Sequence, residues 1–484
     1  MSFGNRNFGK KKNDDIYSYR RERFTKRVYD DIKPADNGDR PPVQFEKNFY
    51  KEAERITNLT KEEVQRFRDE GEMKIYGNDI PKPIINLDDI QFGTNVMKTL
   101  ERMGITKPTA IQAQGWPMAL SGRDMVGIAQ TGSGKTISFV LPALIHASQQ
   151  EGLRRGDGPI VLVLAPTREL ALQIKEVFDE FCKAFRMRCA AVYGGVSAYS
   201  QKQELRNGVE VLVATPGRLI DLHEQGFIPL ERVSFLILDE ADRMLDMGFE
   251  PQLRKVIPKT NEDRQTLMWS ATWPKEVVEL ARTFMTDYIQ VNIGSTELTS
   301  NSKIIQKITV CQERDKFDEI IKVINEFGNN DKIIIFCNKK RTCDDLEYDL
   351  RKKKYDVAAI HGDKSQQARD KVISDFKKGR IQCLIATDVA ARGLDVKEVK
   401  AVINYDFPTN CESYIHRIGR TARGNDAEGT AITFFTYGDR NNTKGLIAIL
   451  KDANQDVPRE LSDMMSKSNY SSYSRNTHSF RRRY

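Results

Sequence analysis

The apolar run Val233–Leu238 ends in two carboxylates, Asp239 and Glu240, and Asp239 falls 104 positions after Lys135 in the glycine-rich turn Ala129-Gln130-Thr131-Gly132-Ser133-Gly134-Lys135-Thr136. A run of apolar residues without alternation marks a strand covered on both faces, the signature of a parallel sheet sheathed by helices. In such sheets ligands collect at the carboxyl ends of the strands, where Asp239 and Glu240 stand. Around the turn, Asp124–Ala129 reads as a strand and Ile137–Leu141 as the start of an apolar helix. Strand, glycine-rich loop and helix N-terminus in that order cradle phosphate with backbone N–H groups.

This pairing specifies metal-assisted phosphoanhydride hydrolysis. Thr131, Gly132, Ser133 and Gly134 form the cradle, Lys135 neutralises the outer phosphates, and Thr136 offers a hydroxyl to magnesium. Asp239 is the magnesium carboxylate and Glu240 orients or deprotonates the attacking water. Ala129 stands where the generic phosphate-loop pattern has glycine.

Short apolar runs alternate with helix-length segments along the core: Ile160–Leu164, Val211–Ala214, Phe235–Leu238 and Gln265–Trp269, then Lys332–Phe336, Val357–Ile360, Gln382–Ile385, Ala401–Asn404 and Thr430–Phe435. That order implies an α/β fold with two parallel sheets in series. The polar stretch Gly294–Ser302 separates them. Only the first half carries a phosphate loop, so a complete site requires both. The expected organisation is an N-terminal extension over 1–74, largely disordered with a short helix, a first domain over 75–294, a linker over 295–303, a second domain over 304–460 and a disordered basic tail over 461–484.

The 484 residues carry a net charge of +8, unevenly spread. Residues 1–40 hold eleven Lys/Arg against seven Asp/Glu, and residues 461–484 hold five against one, so each end is +4 and the middle neutral. Ends such as Ser468–Arg475 and Phe480–Tyr484 cannot bury a core; they read as disordered basic tails whose interleaved aromatics suit nonspecific attraction to nucleic acid. In the extension, Thr60-Lys61-Glu62-Glu63 is a capping box opening a polar helix. The seven scattered cysteines include no CxxC pair, which favours reduced thiols. No stretch approaches a membrane span and Met1–Arg6 lacks a signal-peptide core, so the expected protein is soluble, intracellular and free of membrane.

Ordered motifs extend the resemblance. Pro108–Gln112, the phosphate loop, Pro166–Leu170, Gly194-Gly195, Thr215–Arg218, Asp239–Asp242, Ser270–Thr272, Ile335–Asn338, Gln366–Arg369, Ala386–Asp395 and His416–Arg423 follow one another along residues 75–460. In that order the chain resembles the DEAD-box ATP-dependent RNA helicases of the second helicase superfamily, and in its extension the nuclear subfamily linked to ribosome assembly, splicing and mRNA surveillance. The resemblance implies two tandem RecA-like domains with ATP and Mg2+ bound between them. It implies that Gln112 pairs with the adenine edge, that Asp395 binds ribose, that Arg420 and Arg423 act as arginine fingers beside His416, and that Asp242, Ser270 and Thr272 couple the domains. Thr167, Arg168, Gly195, Thr215 and Arg218, with Arg369, Thr387 and Gly393, would hold the RNA sugar-phosphate backbone without reading bases. Two positions depart from the family: Leu87 and Ile105 stand where aromatics near adenine are usual. Ala422 replaces the commoner glycine, as in the nuclear subfamily.

The resulting expectation is a monomeric helicase of nucleus, nucleolus included, and cytoplasm that unwinds short RNA duplexes and remodels ribonucleoproteins with their protein partners. An ATP-gated RNA clamp that seldom unwinds is the alternative, and a DNA translocase is excluded only by the resemblance.

Overall fold

A computed structural model describes residues 45–130, 132–154, 156–294, 303–391, 396, 398–422 and 428–465. The basic tail expected at 1–40, all but 461–465 of the one expected at 461–484, most of the linker, and the site candidates Thr131, Gly393, Asp395 and Arg423 lie outside those residues.

The first sheet contains β1 (Met73–Tyr76), β2 (Met125–Ile128), β3 (Val161–Leu164), β4 (Cys189–Val192), β5 (Val211–Ala214), β6 (Phe235–Leu238), β7 (Gln265–Ser270) and β8 (Ile289–Ile293). Its order is β1-β8-β2-β7-β6-β3-β5-β4, parallel throughout except where β1 pairs antiparallel with β8. The unbroken apolar runs have their expected cause. Within β6, Phe235 and Ile237 enter one hydrophobic cluster and Leu236 and Leu238 the cluster on the opposite face.

The second sheet contains β9 (Ile304–Val310), β10 (Lys332–Phe336), β11 (Val357–Ile360), β12 (Cys383–Ala386), β13 (Val399–Asn404) and β14 (Gly429–Phe435), in the order β11-β12-β10-β13-β14-β9 and wholly parallel. It is likewise covered twice, with Ile333 and Ile335 on one face and Ile334 and Phe336 on the other.

Two boundaries need correction. The division at 74/75 cuts through β1, whose four residues pair with β8 from Met73↔Ile293 to Tyr76↔Gln290. Residues 45–74 are accordingly packed on the first domain: Phe49 and Tyr50 donate their N–H groups to Leu120 O at 2.7 and 3.0 Å, and Ile56 is fully buried. The expected capping box is present, with Thr60 and Glu63 bonded reciprocally at the start of the helix Lys61–Glu70. At the other end, Leu461 is fully buried in the second domain's core, so that domain extends past 460. An apolar residue every third or fourth position, Val457, Leu461 and Met464, is the helical signal that places it there. All seven cysteines are free thiols. Among the described residues no helix is long and apolar enough to cross a membrane.

One core group makes the first domain acid-sensitive. His146 is buried against Phe45, Phe49 and Phe235, with Nε2 2.8 Å from Ser234 Oγ. Burial, with the Lys47 charge, pushes its pKa down to about 4. As pH falls through 6.5 the unfolded chain takes up a proton that the native imidazole refuses, so stability declines until the native group titrates near pH 4. The loss reaches about 3 kcal/mol. His146→Gln removes the titration, and chemical denaturation between pH 7 and 4 is expected to show a shallower decline for the first domain than the parent shows.

Candidate nucleotide and RNA site

The phosphate-binding, carboxylate and RNA candidates of the first domain gather at the carboxyl ends of its parallel strands, whereas Leu87, Ile105 and Gln112 come from the segment before β2. The phosphate loop follows β2, Thr167 follows β3, Thr215 follows β5, Asp239 follows β6 and Ser270 ends β7. Gly132 (φ +85°) and Gly134 (φ +96°) occupy the left-handed region the loop needs, and Gly134 caps the helix Lys135–Ser148. Lys135 is buried, its ammonium donating to Ala129 O at 2.7 Å and reaching Ser270 O at 3.5 Å. The Ser133 hydroxyl is buried without a hydrogen-bond partner. Thr136 follows on the first helical turn, beside the cradle.

The two carboxylates answer their surroundings differently. Asp239 is 4% exposed and accepts from Glu240 N at 3.0 Å; burial pushes its pKa up to about 7 despite the Lys135 charge. Such a carboxylate gains most from a cation. Among the described residues no cluster of three or more His, Cys, Asp or Glu could cage a metal alone. A lone buried carboxylate fits a cation such as magnesium, which draws most of its ligands from water and phosphate.

Glu240 adopts φ +52°, ψ 53°, a left-handed conformation uncommon for a side-chain-bearing residue, at the start of the helix Ala241–Asp246. Burial acts to raise its pKa, yet Arg243, 3.7 Å away, and Arg420 outweigh it and hold the carboxyl below its ordinary range. Oε2 is buried without a hydrogen bond. An ionised, strained carboxylate with an open acceptor can orient a water. Arg243 has a role that the sequence reading missed; its one signal was a position three residues after Glu240 on a helix.

Asp242 links the domains. Its Oδ2 accepts from Ala271 N (3.2 Å), Thr272 N (3.0 Å) and Thr272 Oγ1 (2.9 Å), and His416 Nε2 of the second domain lies 4.0 Å from it. Burial and the Arg243 charge hold the His416 pKa far below normal, so the ring is neutral. Arg420 is also buried, two residues past the helix Cys411–Ile418. That helix is anchored by Arg417, another residue to which the sequence reading gave no role. Its guanidinium bonds both Asp388 oxygens at 2.6 Å, Asp406 O at 2.6 Å and Asn338 Oδ1 at 2.7 Å.

The RNA candidates also meet across the cleft. Thr167 caps the helix Arg168–Phe185, accepting from Leu170 N at 3.2 Å, and Thr215 precedes the helix Pro216–Glu224. Arg168 bonds Asp370 of the second domain at 3.1 Å and lies over the Tyr193 ring. Gly195 (φ +82°) lies so close to the second domain that a Cβ there would be 3.8 Å from Gln366 Oε1, and the same oxygen accepts from Arg369. Arg218 is held by Gln201 and Val196 O, and Thr387 is buried beyond β12. Arg168 Nη1 and Arg369 Nε are buried donors without hydrogen-bond partners, facing demands that phosphate oxygens would meet.

Leu87 and Ile105 come together, lining a cavity of about 460 Å³ with Met97 and the charged rim Asp88, Lys98, Glu101 and Lys107. Gln112 does not line it. Its carboxamide bridges Thr109 N (3.0 Å) and Gly134 O (3.3 Å), tying the start of its own helix to the phosphate loop. One lone pair and one N–H remain for a base edge.

These features define a two-domain nucleotide hydrolase with a nucleic-acid cleft. Family comparison gives it a name: residues 109–280 match the DEAD/DEAH box helicase domain and residues 315–425 the helicase conserved C-terminal domain, and the chain belongs to the DEAD-box ATP-dependent RNA helicases. It is 62% identical over 436 residues to ATP-dependent RNA helicase DBP2 of Encephalitozoon cuniculi, covering 90% of this chain and 88% of that one. Its identity to DBP2 of Eremothecium gossypii is 54%, over 86% of this chain and 75% of that one. The structure of S. cerevisiae Dbp5 bound to RNA and ADP BeF3 superposes with a TM-score of 0.67 at 30% identity, over 79% of this chain and 98% of that one.

If adenine enters the Leu87–Ile105 cavity, Leu87→Phe adds a stacking surface and should tighten ATP binding by up to about 1–3 kcal/mol. The gain is expected for ATP and absent for inorganic tripolyphosphate in competition assays; an unchanged or higher KM for ATP shows that position 87 does not face the base.

Proposed function

We propose that hydrolysis in this helicase is switched on by the meeting of Glu240 with Arg420, and that the same closure grips one RNA strand. The observation carrying this reading is that the second domain meets the first here: His416 Nε2 lies 4.0 Å from Asp242 Oδ2, and Arg420, buried four residues further on, joins Arg243 and Lys135 in holding the Glu240 carboxyl below its ordinary range. The loop amides and Lys135 bind the phosphates, and Gln112 ties the loop to the start of its own helix while keeping an acceptor and a donor for the base edge. Thr136 and Asp239 would hold magnesium, which supplies charge neutralisation on the phosphates. Glu240 positions the attacking water, and Arg420 stabilises the charge that develops on the phosphoryl group. Arg423 and Asp395 take the finger and ribose roles by resemblance.

Arg168, Arg218 and the helix N-termini at Thr167 and Thr215 contact phosphates from one side, with Arg369 and Thr387 opposite; Gly393 takes its RNA role by resemblance. Gripping one strand across two bodies favours a conformation a duplex cannot share, so short duplexes open locally. Because the contacts are to the backbone, sequence preference is low. The clamp alternative is less favoured, since the curated relatives carry the helicase name. A site built from both halves of one chain supports action as a monomer. The basic ends support nuclear work on ribonucleoproteins in ribosome biogenesis and mRNA processing, with the cytoplasm as a second location.

Glu240→Gln keeps the shape and removes the charge. It is expected to lower RNA-stimulated ATP turnover more than about 10²-fold while leaving a long-lived complex with ATP and RNA, measured by gel shift beside a steady-state assay. Turnover within tenfold of the parent refutes the role given to Glu240.

A further inference from the structure

The N-terminal segment is attached at the point where the base cavity is built. Arg55, on the helix Glu54–Thr57, donates from Nη2 to Asp89 Oδ2 at 2.7 Å. Asp89 is 6% exposed, and the same oxygen accepts from Asn86 N at 2.7 Å and Ile85 N at 3.0 Å. A single buried carboxylate therefore ties the turn Leu87–Asp89 both to its own backbone and to the extension. The contact is returned from the other side: Lys82 Nζ donates to the carbonyls of Ile56 (3.3 Å), Thr57 (2.7 Å) and Leu59 (2.9 Å). Ile56, between these two locks, is fully buried.

The strand-like stretch between the locks is also held against the helix Ala110–Leu120, which carries Gln112. Ile84 N donates to Ala113 O at 2.9 Å, and Arg68 of the extension bonds Gln114 Oε1 at 3.1 Å. Asn86, Leu87 and Asp88 form one wall of the 460 Å³ cavity, while Asp89 does not line it. Its carboxylate serves the wall from behind. Arg55 does not itself line the cavity, yet it is the cation on the group that shapes it, and its guanidinium also lies 3.0 Å from the side-chain amide of Asn86 in the wall.

We propose that Arg55 is a positioning residue for adenine, fixing the Asn86–Asp88 wall through Asp89, so that the N-terminal extension sets the affinity of the helicase for its nucleotide base. The inference rests on reading the Leu87–Ile105 cavity as the base site. Removing Arg55 leaves a buried carboxylate with two N–H donors and no cation. The turn then samples other geometries, which weakens base contacts but leaves the phosphate loop and Glu240 in place.

The test uses full-length protein with saturating RNA. Arg55→Ala should raise the KM for ATP about three- to tenfold with kcat within about twofold of the parent, and Arg55→Lys should recover part of the loss. Inhibition by inorganic tripolyphosphate, which has no base, should be unchanged in both variants. An unchanged KM in Arg55→Ala overturns the proposal. So does a parallel weakening of ATP and tripolyphosphate, since that marks a general loosening of the domain. Leu87→Ala separates the two layers of the argument: if it raises the KM for ATP while Arg55→Ala does not, the cavity reading survives and the brace is wrong. If neither changes it, the cavity is not the base site and the proposal falls with it.

Discussion

Glu240 is an ionised carboxylate largely removed from water, and much of the surrounding structure keeps it so. Burial acts to raise its pKa; Arg243 from its own helix, Arg420 from the other domain and Lys135 outweigh it. Asp239, one residue away, lacks comparable help and drifts the other way, to about 7. Two neighbouring carboxylates thus acquire different chemistry from different neighbours, one ready for a cation and one ready for a water. The dependence on Arg420 makes the active state a property of both domains together.

The second domain delivers that arginine through a buried polar anchor. Arg417 satisfies its guanidinium on Asp388, Asp406 O and Asn338, beneath which lies the Phe336 ring. These partners come from β10, its following loop, the segment after β12 and the segment after β13, so the helix bearing His416 is registered against the carboxyl ends of three adjacent strands. On the opposite side, Asp242 gathers Ala271 and Thr272 and faces His416 at 4.0 Å. The span is too long for a hydrogen bond and close enough for a change in domain spacing to alter it. Arg168 and Asp370 make the corresponding contact on the RNA side. The residues proposed for nucleotide and for RNA therefore share one interface, and on that proposal hydrolysis is coupled to strand release through it.

Much of this was legible in the chain because apolar runs such as Phe235–Leu238 and Lys332–Phe336 need two covered faces, and the residues that end them must then stand at a ligand-bearing edge. The edge strand β1 and its neighbour β8 were harder to read. β1 exposes alternate residues, β8 interleaves Gln290 and Asn292 with its apolar positions, and Met73–Tyr76 gains strand geometry only by pairing with β8 more than two hundred residues later. Periodicity inside a four-residue window carries no record of such a partner. The boundaries at 74 and 460 failed for the same reason: β1 pairs outside its local window, and Leu461 is made a core residue by a distant cluster. Residue roles divide similarly. Lys135, Asp239 and Glu240 announce themselves by motif, whereas Arg243, Arg417 and Arg55 are ordinary charges until folding supplies Glu240, Asp388 and Asp89. Gln112 shows the converse, since its motif pointed to a base while its carboxamide is also bonded to Thr109 and Gly134.

The central claim is that a charge from the second domain completes the hydrolytic site of the first. Single-turnover ATP hydrolysis by Arg420→Lys, at saturating RNA and with nucleotide affinity measured separately, tests it directly. Lysine keeps the charge but lacks the planar fork, so the account predicts a loss of about 10³-fold or more in the chemical step with little change in ATP affinity. Hydrolysis within tenfold of the parent would contradict it, placing the decisive charge elsewhere.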